Sequence, residues 1–140
     1  MLFAFPLTIP ANTPEGMPFT QVLTLDFGVV TKISIKFPAG CHGLVQVQLL
    51  QNESVLVPQN GDTWLSGDDE TISMEIYFQF NSEPYELKFL GISPTTTYDH
   101  TILVRIEILS ADEAFPSQAM TDLVQILTQY LRVPQTVTVE

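Results

Sequence analysis

The sequence predicts an all-β protein: an antiparallel β-sandwich, jelly-roll-like, of about eight strands, followed by a C-terminal amphipathic helix and an extended arm. Three observations predict it. Apolar and polar residues alternate with a period of two through most of residues 1–110, the signature of strands with one buried face. Turn-forming clusters (PANTPEGMP, PAGCHG, QNE, PQNGD, SGDDE, NSEP and SPTTT) separate these runs with no helical run between them, which argues against a βαβ fold. Beyond residue 110 the apolar spacing becomes helical.

The strands follow in order. LFAFPLTI (2–9) is a weak strand, and Pro6 within it lacks a ladder donor, which suits a sheet edge. FTQVLTLDF (19–27) is also weak. In VVTKISIKF (29–37), Val29, Thr31, Ile33, Ile35 and Phe37 point one way and Lys32, Ser34 and Lys36 the other. LVQVQLLQ (44–51) alternates Val45, Val47 and Leu49 against Gln46 and Gln48, and SVLVP (54–58) is short. TISMEIYFQF (71–80) aligns Ile72, Met74, Ile76, Phe78 and Phe80. YELKFL (85–90) groups Tyr85, Leu87 and Phe89, and DHTILVRIEIL (99–109) groups Ile102, Val104, Ile106 and Ile108.

Residues 1–110 are thus read as one β domain and 111–140 as an appendage. Within the appendage Met120, Leu123, Val124, Leu127 and Leu131 recur at helical spacing, Ser117 is a plausible N-cap, and Pro134 forbids continuation. A helix over 117–131 is too short to be stable alone in water and needs a surface to pack on. QTVTVE at the end alternates again and reads as an extended arm, 133–140.

Composition narrows the function classes. Sixteen acidic residues against five basic ones give a net charge of −11, which repels phosphate backbones and argues against nucleic-acid binding. No apolar run reaches the ~20 residues of a membrane span. MLFAFPLTIP has no positive leading region and contains two prolines, so it is not read as a signal peptide. The single cysteine cannot form an internal disulfide, which leans towards folding inside a cell. With 45% hydrophobic and only 15% charged residues, some surface is expected to be hidden in an assembly.

Candidate chemistry is sparse. Cys41 and His42 are adjacent between Gly40 and Gly43; a zinc site needs three or four ligands, and neighbours on an extended backbone point apart, so the pair is read as a turn. His42 and His100 meeting at one end of the domain is the metal alternative. Asp62, Asp68, Asp69 and Glu70 offer oxygen ligands of the kind calcium takes, without EF-hand spacing, so a solvated loop is the reading. No pair of carboxylates is singled out for hydrolysis. Ser66-x-x-Asp69 precedes a strand and carries no catalytic meaning. Neither a metal nor a cofactor is expected, and no catalytic residue is assigned. Trp64, in a Gly/Asp-rich loop, is an interface anchor or a sugar-stacking platform.

Three stretches, LTIPANTPEGMPF (7–19), KFPAGCHGLVQVQLLQN (36–52) and EPYELKFLGISPTTTYDHTILVRIEIL (83–109), together resemble small β-rich proteins encoded among structural genes of tailed bacterial and archaeal viruses and proviruses. The resemblance spans residues 1–110 and not the appendage. It implies a non-enzymatic virion protein, a capsid decoration or cementing protein folded in the host cytoplasm and residing on the capsid surface. Its partners would be itself, as a trimer or other cyclic homo-oligomer, and the major capsid protein. Partner contacts are expected from Trp64, Met120, Leu123, Val124, Leu127, Tyr130, Leu131, Val137 and Val139. The alternative is a carbohydrate- or receptor-binding sandwich that uses Trp64.

Overall fold

A computed structural model describes residues 1–110, 113 and 122–128. Among them are nine strands: β1 Leu2–Ile9, β2 Phe19–Thr24, β3 Val29–Phe37, β4 Gln46–Gln51, β5 Ser54–Val57, β6 Leu65–Ser66, β7 Glu70–Gln79, β8 Glu86–Ile92 and β9 His100–Leu109. The ninth relative to the sequence reading is β6, a two-residue strand inside the Gly/Asp-rich loop, too short to show alternation.

All pairings are antiparallel. One sheet has the order β1-β9-β3-β7 and the other β2-β8-β4-β5, with β6 also on β4. Because β8 occupies one edge of β4 along Gln46–Leu50, β5 and β6 share the other edge in succession. β1 lies at a sheet edge, where Pro6 costs no ladder bond that a neighbour would need.

Both sheets feed one hydrophobic core. Ile33, Ile35, Ile102, Val104 and Ile106 come from the first sheet; Leu23, Val47, Leu49, Leu87 and Phe89 come from the second. Phe37, Phe80 and Phe89 are its largest fully buried side chains. Gly91 lets the sheets approach: a Cβ there would overlap Cδ1 of the buried Ile9.

Two corrections to the alternation follow from cross-strand counting. The β3 register shifts between Val30 and Lys32 against both neighbours: Thr31 is an extra residue opposite β9, and β7 carries one more residue than β3 around Tyr77, at φ 53°. A bulge reverses the phase of the strand beyond it. Val30 therefore joins the core cluster, whereas Val29, also buried, does not. The Thr31 hydroxyl donates to Glu107 Oε1 at 2.9 Å. In β4, Gln48 is buried rather than solvated, since the loop before β6 covers it and its Nε2 donates to the Thr63 carbonyl at 2.9 Å.

Beyond β9, Glu113 is helical. The Ser110 hydroxyl accepts from the Glu113 amide at 3.2 Å while the Glu113 carboxylate accepts from the Ser110 amide at 3.5 Å, a reciprocal capping box. Ser110-x-x-Glu113 is a sequence signal that the reading from Ser66 and Ser117 passed over. Residues 122–128 are helical. Ser117, Pro134 and the arm 133–140 lie outside the described residues.

Candidate functional site

Four connections gather at one end of the molecule: residues 10–18 between β1 and β2, 38–45 between β3 and β4, 67–69 between β6 and β7, and 93–99 between β8 and β9. Two hydrogen-bonded systems join them in pairs.

The first system joins 10–13 to 93–96 and is buried. The Ser93 hydroxyl donates to the Pro10 carbonyl at 2.6 Å and accepts from the Thr13 amide at 3.3 Å. The Ser93 amide donates to the Thr13 carbonyl at 2.9 Å, the Thr13 hydroxyl donates to Pro10 at 2.7 Å, and the Thr96 hydroxyl donates to the Ser93 carbonyl at 3.1 Å. Ser93, Thr13 and Thr96 are all buried, and each finds a partner, as buried hydroxyls must. The phrases TIPANTPE and SPTTTYDHT, far apart in sequence, are thus one structural unit. Asp99 extends it by accepting from the Ala11 amide at 2.9 Å.

The second system explains the Cys-His pair. Asp68 Oδ1 accepts from the amides of Gly40 and His42 at 3.1 and 3.0 Å. Main-chain bonds from Gly43 to the Gly67 carbonyl and from Asp69 to the Pro38 carbonyl, both 3.3 Å, flank it. To aim the Gly40 and His42 amides at one carboxylate the loop uses left-handed backbone at Gly40 (φ 99°), His42 (φ 50°) and Gly43 (φ 72°). Asp68, expected in a solvated or calcium-binding loop, is instead the acceptor that shapes the neighbouring turn. These bonds, foremost that of the His42 amide, hold its carboxyl below the ordinary carboxylate range. The His42 ring lies 3.7 Å from Asp68, but with the two side chains 73% and 40% exposed the pair adds little.

Cys41 is fully buried, and burial, then the nearby Asp68 charge, pushes its thiol up. It stays protonated and acts as a small core residue. His42, in the same turn, points to solvent. Among the described residues no group of three or more His, Cys, Asp and Glu side chains could hold a metal ion.

Between the loops lies an open cleft of about 470 Å³. Leu44, Thr95, Thr97, Tyr98 and Asp99 line it, and it brings His42 and His100 to one concavity. Tyr98 is 77% exposed. His100 Nδ1 is buried without a hydrogen-bond partner among the described residues.

The residues expected at interfaces are distributed differently. Trp64 is half-buried beside β6 and does not line the cleft. Leu123, Val124 and Leu127 are helical and exposed by 49, 54 and 49%, joined by Ile126 at 62%. Met120, Tyr130, Leu131, Val137 and Val139 lie outside the described residues. No helix of the described residues is long and apolar enough to cross a membrane. No protein-family model matches the chain, and no curated protein matches its sequence.

Proposed function

We propose that the chain is a non-enzymatic virion structural protein: a capsid decoration or cementing protein that forms a cyclic homo-oligomer on the lattice of the major capsid protein. The domain in this reading is a jelly-roll sandwich. Its support is the path of the chain. Every connection except those within β4-β5-β6 passes from one sheet to the other, giving β1-β9-β3-β7 opposite β2-β8-β4-β5, the winding of two Greek keys. A sandwich of this kind hosts many functions, so the fold alone names none.

The observation that carries the assembly reading is the helical segment 122–128. All seven residues are exposed, including four large aliphatic side chains at 49–62%. An apolar helix facing water is a docking element, and its neighbour on a lattice is the natural receiver. Two of the side chains suited to chemistry have structural roles: Cys41 is buried and Asp68 Oδ1 accepts from two amides.

The deciding experiment deletes residues 111–140. The truncated chain should keep the circular-dichroism spectrum of a folded β protein yet sediment as a smaller species and fail to decorate particles. Normal assembly of the truncated chain would end this reading.

The cleft supports one second reading, a carbohydrate- or receptor-binding module. Its platform would be the exposed Tyr98 flanked by Asp99 and threonine hydroxyls, not Trp64. A glycan array scores it: binding that Tyr98→Ala abolishes supports it, and no binding to any glycan removes it.

A further inference from the structure

The basic residues of this acidic chain are not spread evenly. In the first sheet Lys32, Ser34 and Lys36 lie on the outer face of β3. Arg105 of β9 and Ser73 of β7 sit directly across from Ser34 on either side. With strands ~4.8 Å apart and alternate residues ~7 Å apart, Lys32 and Lys36 flank Ser34 along β3 and Arg105 flanks it on β9, while Ser73 lies on its β7 side. The two hydroxyls are 3.2 Å apart. A shallow depression of about 250 Å³ runs here, and Lys32, Arg105, Ser34 and Thr71 are among its walls.

Three of the chain's five basic residues are therefore on one sheet face. Among the described residues, register places two acidic residues there, Glu75 and Glu107. The face carries +1, and the other residues together carry −12. None of Lys32, Lys36 and Arg105 is ion-paired with a carboxylate within 4.0 Å among the described residues, although Glu75 and Glu107 sit across from Lys32 on either side and Glu107, which accepts from the Thr31 hydroxyl, also lines the depression. An apolar strip borders these cations: Leu2, 67% exposed, with Ala4, Pro6 and the half-buried Leu103.

We infer that this face is a docking surface for the acidic exterior of a second copy of the chain. Unpaired cations on a flat, partly apolar sheet face complement the carboxylates that dominate the rest of the same molecule. Because the two surfaces differ, the contact is heterologous, the kind that builds a ring when its rotation closes. The inference rests on the assembly reading above and names a contact distinct from the helix.

The test is sedimentation velocity of the full chain at about 0.05 M and 0.5 M salt, where screening shortens from ~14 Å to ~4 Å. The wild-type oligomer should weaken by about tenfold or more at high salt. Lys36→Glu combined with Arg105→Glu should give monomer at low salt with unchanged circular dichroism and melting. Lys88→Glu, which alters a cation of the other sheet, should leave association as it is. An oligomer indifferent to salt and to the double substitution would overturn this inference and leave the assembly reading intact. A monomer under every condition would overturn both. A monomer whose Lys36 and Arg105 respond to inorganic phosphate would overturn the second-copy assignment in favour of a small oxyanion.

Discussion

At one end of the molecule Ser93, Thr13 and Thr96 tie two loops together with buried hydroxyls, and Asp68 gathers a third and fourth. At the other end, rings do the closing. Phe80 meets Phe78 edge-on at 5.3 Å and Tyr85 at 5.9 Å, and Tyr85 meets Phe27 at 5.6 Å. The Leu25 amide bonds the Tyr85 carbonyl at 2.8 Å beside them. This aromatic end is also where β9 finishes, Leu109 lying opposite Val29. The contrast divides labour. Ring packing gives energy without fine direction, and suits the end from which an appendage is carried. Hydroxyls and a carboxylate give direction at less net energy, and suit the end where main chain is shaped around a cleft.

The contrast breaks first at Phe80. It is 2% exposed and touches both neighbouring rings, so Phe80→Ala should cost about 4 kcal/mol in urea unfolding. A loss under about 1 kcal/mol would mean the aromatic end is not what holds the sheets there. Gly28 comes next. At φ 146°, an added Cβ would lie 2.6 Å from Ile108 Cγ2 and 2.7 Å from the Leu109 carbonyl oxygen. Gly28→Ala should destabilise by about 3 kcal/mol through backbone strain and overlap together. Melting unaltered by that change would show the turn to be elsewhere.

These two positions also show what the sequence could and could not reveal. Phe80 was readable, because it continues the period-two run of Ile72, Met74, Ile76 and Phe78. So were the long strands, each carrying its own alternation. Unreadable features were those set by a distant partner. Whether Val29 or Val30 faces the core depends on how many residues β9 and β7 place opposite Thr31. Gln48 looked solvated because nothing local shows a loop lying over it. Asp68 and the Cys-His turn are each ordinary turn sequence; only their meeting makes a clamp. Ser110-x-x-Glu113 was local and legible, a reciprocal pair of bonds at the end of β9.

At the polar end Ser93 gives the third test. Ser93→Ala removes one of two donors to the Pro10 carbonyl and the acceptor of the buried Thr13 amide, leaving that amide unpaired at a cost of about 2 kcal/mol. Hydrogen exchange should rise for amides in 10–13 and 93–96 before it rises in the β3–β9 pairing. Uniform acceleration throughout would show that the two loops are not a local unit.

The smallest effect belongs to Asp68, and pH isolates it. Its carboxyl is held below the ordinary value of 3.8, first by the His42 amide and also by those of Gly40 and Cys41. A depressed folded-state value means the unfolded chain takes up this proton first as pH falls. The stabilisation is therefore complete above the ordinary carboxylate value and is lost as pH drops through the lower, folded one. Asp68→Asn keeps an oxygen acceptor for the two amides and removes only the charge. Its melting temperature should lie slightly below wild type at neutral pH, and the gap should close on descending from about pH 4. Exposure of the site keeps the gap small. A gap that persists unchanged at pH 2 would assign the loss to amide geometry and not to the carboxylate charge. In that case the clamp at this end would be held by direction alone, as Ser93 holds the other pair of loops.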